Sequence, residues 1–266
     1  MAENIFEEMM FRFKDWWKGI LYGAGFFLLV MRETLGFFRK SQVGYKVLVM
    51  QILFTGFEAL SIIIVLSMSL GAIIMITSYS FGYSLLIGQS GFMYKLLVII
   101  LTIELGPILT AFIIIARSGT AIATELGGMV VNHEIEAYLS FGINPISYLV
   151  VPRFLGVVIS MLLLTVYFNV FGLLGSYLIA ASFAPIPFNE YMTNILRELK
   201  PQGLAISLGK AAVFGTIISL VSSFQGFAVK QSSTEVPVAG IRAVSLCFVW
   251  CIIADALLAL IYYTRG

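Results

Sequence analysis

Glu104, Lys210 and Asp255 each sit inside a long apolar run of this 266-residue chain. An ionised side chain is costly in such surroundings, so each is a candidate for ion pairing or for contact with a polar group in passage. Helical rise counted from the ends of the runs puts all three at one level, roughly 10 to 15 Å below the same surface. Opposite charges at one level on three segments can neutralise one another. Such a cluster serves either helix packing or the passage of a headgroup. Arg117 and Glu125 fall toward the other surface, where water or lipid phosphates can satisfy them.

Other reactive residue types are few. His133 is the single histidine, which excludes two-histidine metal motifs and leaves any Ser/His/Asp triad dependent on one loop residue. Its expected place is a solvated surface. Cys247 and Cys251 are four apart in an apolar run, share a helix face and have no second ligand pair, so they read as packing residues and no metal site is expected. Gly203 to Lys210 approaches a phosphate-binding loop, but five residues separate its glycines and Ala211 follows the lysine. The chain is therefore expected to hold no nucleotide or other cofactor of its own.

The elements that must position these residues are apolar helices. The chain is 60% hydrophobic and 11% charged, less than half of the roughly 25% charge of average soluble chains. A net charge of +2 does not suggest nucleic acid as a partner. Ala59 to Tyr94 and Phe154 to Asn189 carry no charge. About 20 apolar residues cross a bilayer once, so each stretch holds one span and an outer segment, with Gly82, Gly88, Gly91, Pro185 and Pro187 marking loops. Five spans are expected, near 52–77, 95–117, 148–183, 203–228 and 239–262. The third is long enough to require tilting, protrusion or a break near Gly172 and Gly175.

Residues 1–46 mix seven Lys/Arg with five acids, Trp16, Trp17 and several Phe, a pattern expected of an interfacial helix, with 19–31 as a possible span instead. Residues 47–266 form the transmembrane domain. No cleavable signal peptide is expected, because acidic residues precede the first apolar run, which lacks a small-residue cleavage site. The fold expected is an all-α integral membrane protein: an N-terminal interfacial helix, five transmembrane helices and a short helix between the second and third spans. With the N-terminus inside, eleven Lys/Arg fall on the cytoplasmic side against five outside. No internal repeat divides the chain into the related halves common in secondary carriers.

Gly119, Ala123 and Gly127, and again Gly215, Ser219 and Ser223, repeat every four residues and form small-residue stripes for close helix approach. Between Asn132 and Pro145 the pattern predicts a short amphipathic helix, with Asn132 as cap, Glu134 at its positive end and Gly142 at its end. Ile135, Tyr138, Leu139, Gly142 and Ile143 share one face; Glu136 lies on the same helix. The helix either fills a groove on a partner or lies on the membrane surface.

From Glu104 to Arg153 the sequence carries a series of short motifs: Glu104-Leu105-Gly106-Pro107, Thr110-Ala111, Ala116-Arg117 with Gly119, Glu125-Leu126-Gly127 with Met129, and Gly142 to Pro145 leading to Tyr148 through Pro152 and Arg153. Their order and spacing resemble the MlaE/YrbE permeases of MCE-associated lipid ABC transporters. A weaker match continues through Phe224 to Phe227, Arg242-Ala243-Val244 and Asp255. The resemblance implies a homodimeric, multi-pass permease of the bacterial inner membrane. It would pair with cytoplasmic ABC ATPases that hold ATP and Mg, and with a periplasmic MCE-domain protein, and would move phospholipid or a similar hydrophobic molecule. It makes Glu134, Ile135, Glu136, Tyr138, Leu139, Gly142 and Ile143 the ATPase-coupling residues. Ile73, Ile76, Tyr79, Tyr83 and Ile87, with Glu104, Lys210 and Asp255, are the substrate-path candidates. An ion-coupled carrier and a noncatalytic membrane scaffold are the rival readings.

Overall fold

The computed structural model describes residues 23, 25–36, 42–84, 90–183, 187–230 and 232–265, and no strand occurs among them. Residues 25–36 form helix α1, followed by α2 (Gln42–Ser84). The second span is one continuous rod built from α3 (Ser90–Leu97), a π-helical stretch (Val98–Leu105), α4 (Gly106–Ile114), a second π-helical stretch (Ile115–Gly119) and α5 (Thr120–Val131). The short α6 (Glu134–Ser140) precedes a π-helical turn (Ile146–Val150) that runs into α7 (Val151–Phe183). Then come α8 (Phe188–Glu198), α9 (Pro201–Phe227) and α10 (Glu235–Arg265).

Five of these segments are long and apolar enough to cross a membrane: Lys46–Ser78, Met93–Val131, Ile146–Ser182, Pro201–Phe227 and Glu235–Tyr262. The number matches expectation, but the second span runs well past residue 117 because Gly119, Ala123 and Gly127 continue its helix. The described part of helix α1, about 18 Å over residues 25–36, packs Val30 against Val150, Phe154 and Leu220; of the apolar run 19–31, most of the part before Gly25 lies outside the described residues.

Two of the three π-helical stretches, those before Pro107 and Pro152, have a local cause. A proline inside a helix lacks an N–H and crowds the carbonyl four residues back. Gly106 N–H bonds Leu101 O just before Pro107, and Val151 N–H bonds Ile146 O just before Pro152. Both are five-residue bonds of a widened turn, which makes room for the ring without breaking the rod.

The long α7 does not break at Gly172 and Gly175; it stays helical to Phe183. Gly175 and, from the other side, Gly71 let α2 and α7 approach to backbone contact, while a Cβ on Gly172 would meet the Leu101 side chain. A Cβ on Gly71 would collide with the Gly172 carbonyl, and one on Gly175 with the Met68 backbone. Farther along the same seam Gly156 faces Gln51, and Ser160 Oγ donates to Ile52 O at 3.3 Å.

The small-residue stripes are likewise occupied within the chain. Gly119 faces Ser222 and Ile218, Gly127 faces Val229 and Gly226, and Gly215 meets Val158 and Met161 of α7. Cys247 packs on α9 with Sγ 3.7 Å from Ser222 Oγ, and Cys251 is buried one turn away. Helix α9 is thus central, whereas α10 and α2 are peripheral. In the most apolar stretch of each, only 11% of α10 and 28% of α2 is buried, against 67% in the span containing α7, so those two present most of the surface open to lipid or a partner.

Sequence reading missed α8. Pro187 starts it, and Tyr191 and Ile195, four apart, are its buried face, while Asn189, Glu190, Thr193 and Arg197 are exposed. Tyr191 pins α8 to α7: its hydroxyl lies 2.6 Å from Ser176 Oγ and donates to Leu173 O at 3.0 Å. Burial pushes its pKa up to about 12, with the Ser176 bond opposing the rise.

Candidate functional site: a charged cluster beside an apolar cleft

Lys210 is 1% exposed and lies between two carboxylates from different spans. Its Nζ donates to Glu104 Oε2 at 2.7 Å, and the second ion pair, with Asp255 Oδ1, spans 2.9 Å. Glu104 comes from the widened turn before Pro107, Lys210 from the buried face of α9 and Asp255 from α10. Depth alone had placed the three at one level, and the packing of α9 against both neighbours closes the contact. Two acids and one base leave an excess carboxylate. Both carboxylates are partly exposed, 28% for Glu104 and 20% for Asp255, so the cluster is accessible from one side. Nearer the α8 end, Ser207 Oγ donates to Thr102 O at 2.8 Å, and Asn169 Nδ2 reaches Ser207 at 3.5 Å. This polar level was not read from the sequence.

Beside the lysine opens an apolar cleft of about 490 Å³ between α9 and α10, lined by Ala205, Ile206, Gly209, Lys210, Leu258 and Ile261 among others. Gly209 has nothing within 4 Å of an added Cβ, which keeps the wall recessed. An apolar cleft with a charged wall suits an amphiphile. Of the expected apolar lining, Ile73 and Ile76 are exposed on α2. Tyr79 and Tyr83 fall on α2, but their side chains, and Ile87 altogether, lie outside the described residues.

At the opposite end of the bundle α6 stands as expected in type and place, with a different cap. Asn132 closes α5, its N–H bonding Gly128 O, and the residue preceding Glu134 is His133, in the left-handed region at φ 58°. The His133 ring is exposed and sits 3.0 Å from Glu136 Oε2, so Glu136 holds the start of the helix while Glu134 is solvated. Gly142, at φ +74°, ends it: its N–H bonds Leu139 O, and Ile143 N–H bonds Tyr138 O at 2.9 Å. This is the hydrogen-bond pattern of a glycine stop.

Ile135 and Tyr138 pack inward, Tyr138 against the Tyr148 ring at 5.5 Å, while Leu139 is 60% and Phe141 80% exposed. Ile135, Leu139, Pro145, Phe224, Phe227 and Phe26 of α1 line a groove of about 580 Å³. The contribution of α1 to this groove was not read from the sequence.

The remaining motif charges, Arg117 and Glu125, each have a protein partner that the sequence did not reveal, while both side chains stay partly exposed. Arg153, 5% exposed, pairs with Glu125 at 2.7 Å and donates to Leu149 O. Arg117 pairs with Glu58 of α2, through both the carboxylate and the backbone carbonyl. Glu58 was missed; its position as a lone acid in the apolar first span was the available signal.

A family model described as Permease MlaE matches residues 48–261. A probable ABC transporter permease protein of Rickettsia prowazekii is 28% identical over 204 residues, 77% of this chain and 78% of that protein. The intermembrane phospholipid transport system permease protein MlaE of Haemophilus influenzae is 25% identical over 143 residues, 53% of this chain and 54% of its own length. Protein trigalactosyldiacylglycerol 1 of Arabidopsis thaliana, chloroplastic, is 30% identical over 160 residues, 60% of this chain and 46% of that protein. With five membrane-spanning helices and a family match that takes in the charged cluster, the cleft and α6 alike, this chain belongs to the MlaE permease family.

Proposed function

We propose that the chain is the transport subunit of an ABC-type lipid transporter of the bacterial inner membrane, passing phospholipid or a similar amphiphile between that membrane and a periplasmic MCE assembly. The observation that carries this reading is the juxtaposition of the Lys210 cluster with an open apolar cleft. Acyl chains can lie in the cleft while the headgroup meets the partly exposed carboxylates. The names of the Haemophilus and Arabidopsis relatives, which refer to phospholipid transport and to a glycolipid, favour a lipid over a water-soluble substrate.

Energy comes from separate cytoplasmic ATPase subunits that hold ATP and Mg. The α6 groove, lined in part by the exposed Leu139 and with Ile143 exposed nearby, is their docking surface, and the N-terminus lies on the same side. Two copies of the chain form the working permease. Because the glycine stripes are occupied within each copy, the dimer forms through the peripheral spans. The test is purification of the chain from its native membrane with co-expressed neighbouring gene products, followed by identification of bound proteins and lipids. An ATPase, an MCE-domain protein, two permease copies and stoichiometric phospholipid are expected. A chain recovered with neither ATPase nor lipid would refute the proposal.

A further inference from the structure

The Arg117–Glu58 pair lies in an unusual place for two charges. Arg117 is five residues beyond Phe112, the midpoint of Met93–Val131, and Glu58 is four residues before Ile62, the midpoint of Lys46–Ser78. At 1.5 Å per residue, both are roughly 6 to 8 Å from mid-membrane, toward the α6 end, well within a hydrocarbon layer about 30 Å thick. Yet the two side chains are 37% and 40% exposed on the protomer surface, and Ala116 on the same turn is exposed with them. Bare hydrocarbon is a costly neighbour for an exposed ion pair, so polar groups must meet it there. The guanidinium has five N–H donors, and the structure gives partners to two of its nitrogens, both on Glu58. The other lysine and arginine ion pairs differ: Lys210 and Arg153 are both buried.

We infer that Arg117 and Glu58 form a second headgroup station in the membrane, selective for zwitterionic phospholipids that carry a primary amine. Arg117 takes the phosphate through its outward N–H groups, and Glu58 takes the ammonium. A purely anionic headgroup would be attracted by Arg117 and repelled by Glu58, whereas a zwitterion matches both signs. The station lies on the α6 side of the Lys210 cluster, so a headgroup moving along the bundle meets two charged levels in turn. This inference rests on the lipid-permease reading.

The experiment places a photoreactive phenylalanine analogue at Ala116, and separately at Ile73, in the full complex within membranes containing radiolabelled phosphatidylethanolamine and phosphatidylglycerol. The lipid cross-linked to the purified, monodisperse chain is then identified. At Ala116 the ethanolamine lipid should be enriched over its membrane fraction. A charge-assisted hydrogen bond corresponds to roughly tenfold in binding, so Glu58→Gln should lower the ethanolamine-to-glycerol ratio by about that factor, and Arg117→Gln should remove most of the cross-link. The double variant Glu58→Gln/Arg117→Gln leaves no unpaired charge to unfold the bundle and should show no headgroup preference. A ratio at Ala116 equal to that of the membrane and unmoved by these substitutions, or cross-linking to a second copy of the chain, would overturn the inference. Lipid captured at Ile73 would in that case preserve the permease reading, whereas no lipid at either position would sink both.

Discussion

Replacing Lys210 by Met removes the positive charge from between two carboxylates and leaves a side chain of similar length. At 2.7 and 2.9 Å, each ion pair is worth about 6 kcal/mol of Coulomb energy at an effective dielectric near 20. Desolvation of the ions, several kcal/mol each, offsets most of that gain. The net cost of removing the shared partner is therefore about 3–5 kcal/mol, because it comes mainly from two like charges left without the lysine between them. At about 2–4 °C per kcal/mol for chains of this size, the melting temperature should fall by roughly 6 to 20 °C. Loss of one acid along with the lysine should recover much of this, so Lys210→Met/Asp255→Asn and Lys210→Met/Glu104→Gln should each be more stable than Lys210→Met. The assay is thermal unfolding of the purified complex in one detergent, arranged as double-mutant cycles. If Lys210→Met melts within about 1 °C of the parent, or if neither double variant improves on it, mutual neutralisation is not what holds the cluster together.

Leu139→Asp should abolish recovery of the ATPase with the permease while membrane insertion stays normal, because a charge enters the apolar groove face from an exposed position; full ATPase recovery would refute docking there. Gly175→Ala should loosen the α2–α7 seam by about 1–3 kcal/mol, read as weakened disulfide trapping between cysteines placed across it, since the new methyl meets the Met68 backbone; unchanged trapping would contradict that contact. The raised pKa of Tyr191 predicts that its contribution is complete below about pH 10, the ordinary tyrosine value, and is lost as pH climbs through about 12. Tyr191→Phe should cost about 1 kcal/mol at neutral pH and flatten the alkaline fall in unfolding temperature; an unchanged alkaline limb would show that Tyr191 does not set it.

The number of membrane spans and the short α6 were legible because each depends on local composition, whereas the amphipathic α8 was missed. Apolar runs of spanning length announce five helices whatever they pack against, and Gly142 ends α6 through its own backbone freedom. The level of Glu104, Lys210 and Asp255 also follows from counting rise along separate helices. Which helices adjoin, however, is a long-range matter. Glu58 and Arg117 are 59 residues apart, and nothing local says that α2 brings them together, so Arg117 read as a residue for water or lipid phosphate with no protein partner. The same limit hid the pairing of Glu125 with Arg153 and the contribution of Phe26 to the α6 groove. Gly172 and Gly175 read as break points because glycine weakens a helix considered by itself. Only the α2 backbone against Gly175 and the Leu101 side chain against Gly172 give those positions their use. The sequence by itself determined the five spans, their order and the depth of their charges, because these follow from local chemistry. Tertiary structure decided which charges are neutralised inside the protomer and which are left on its surface, because that depends on where separate helices meet.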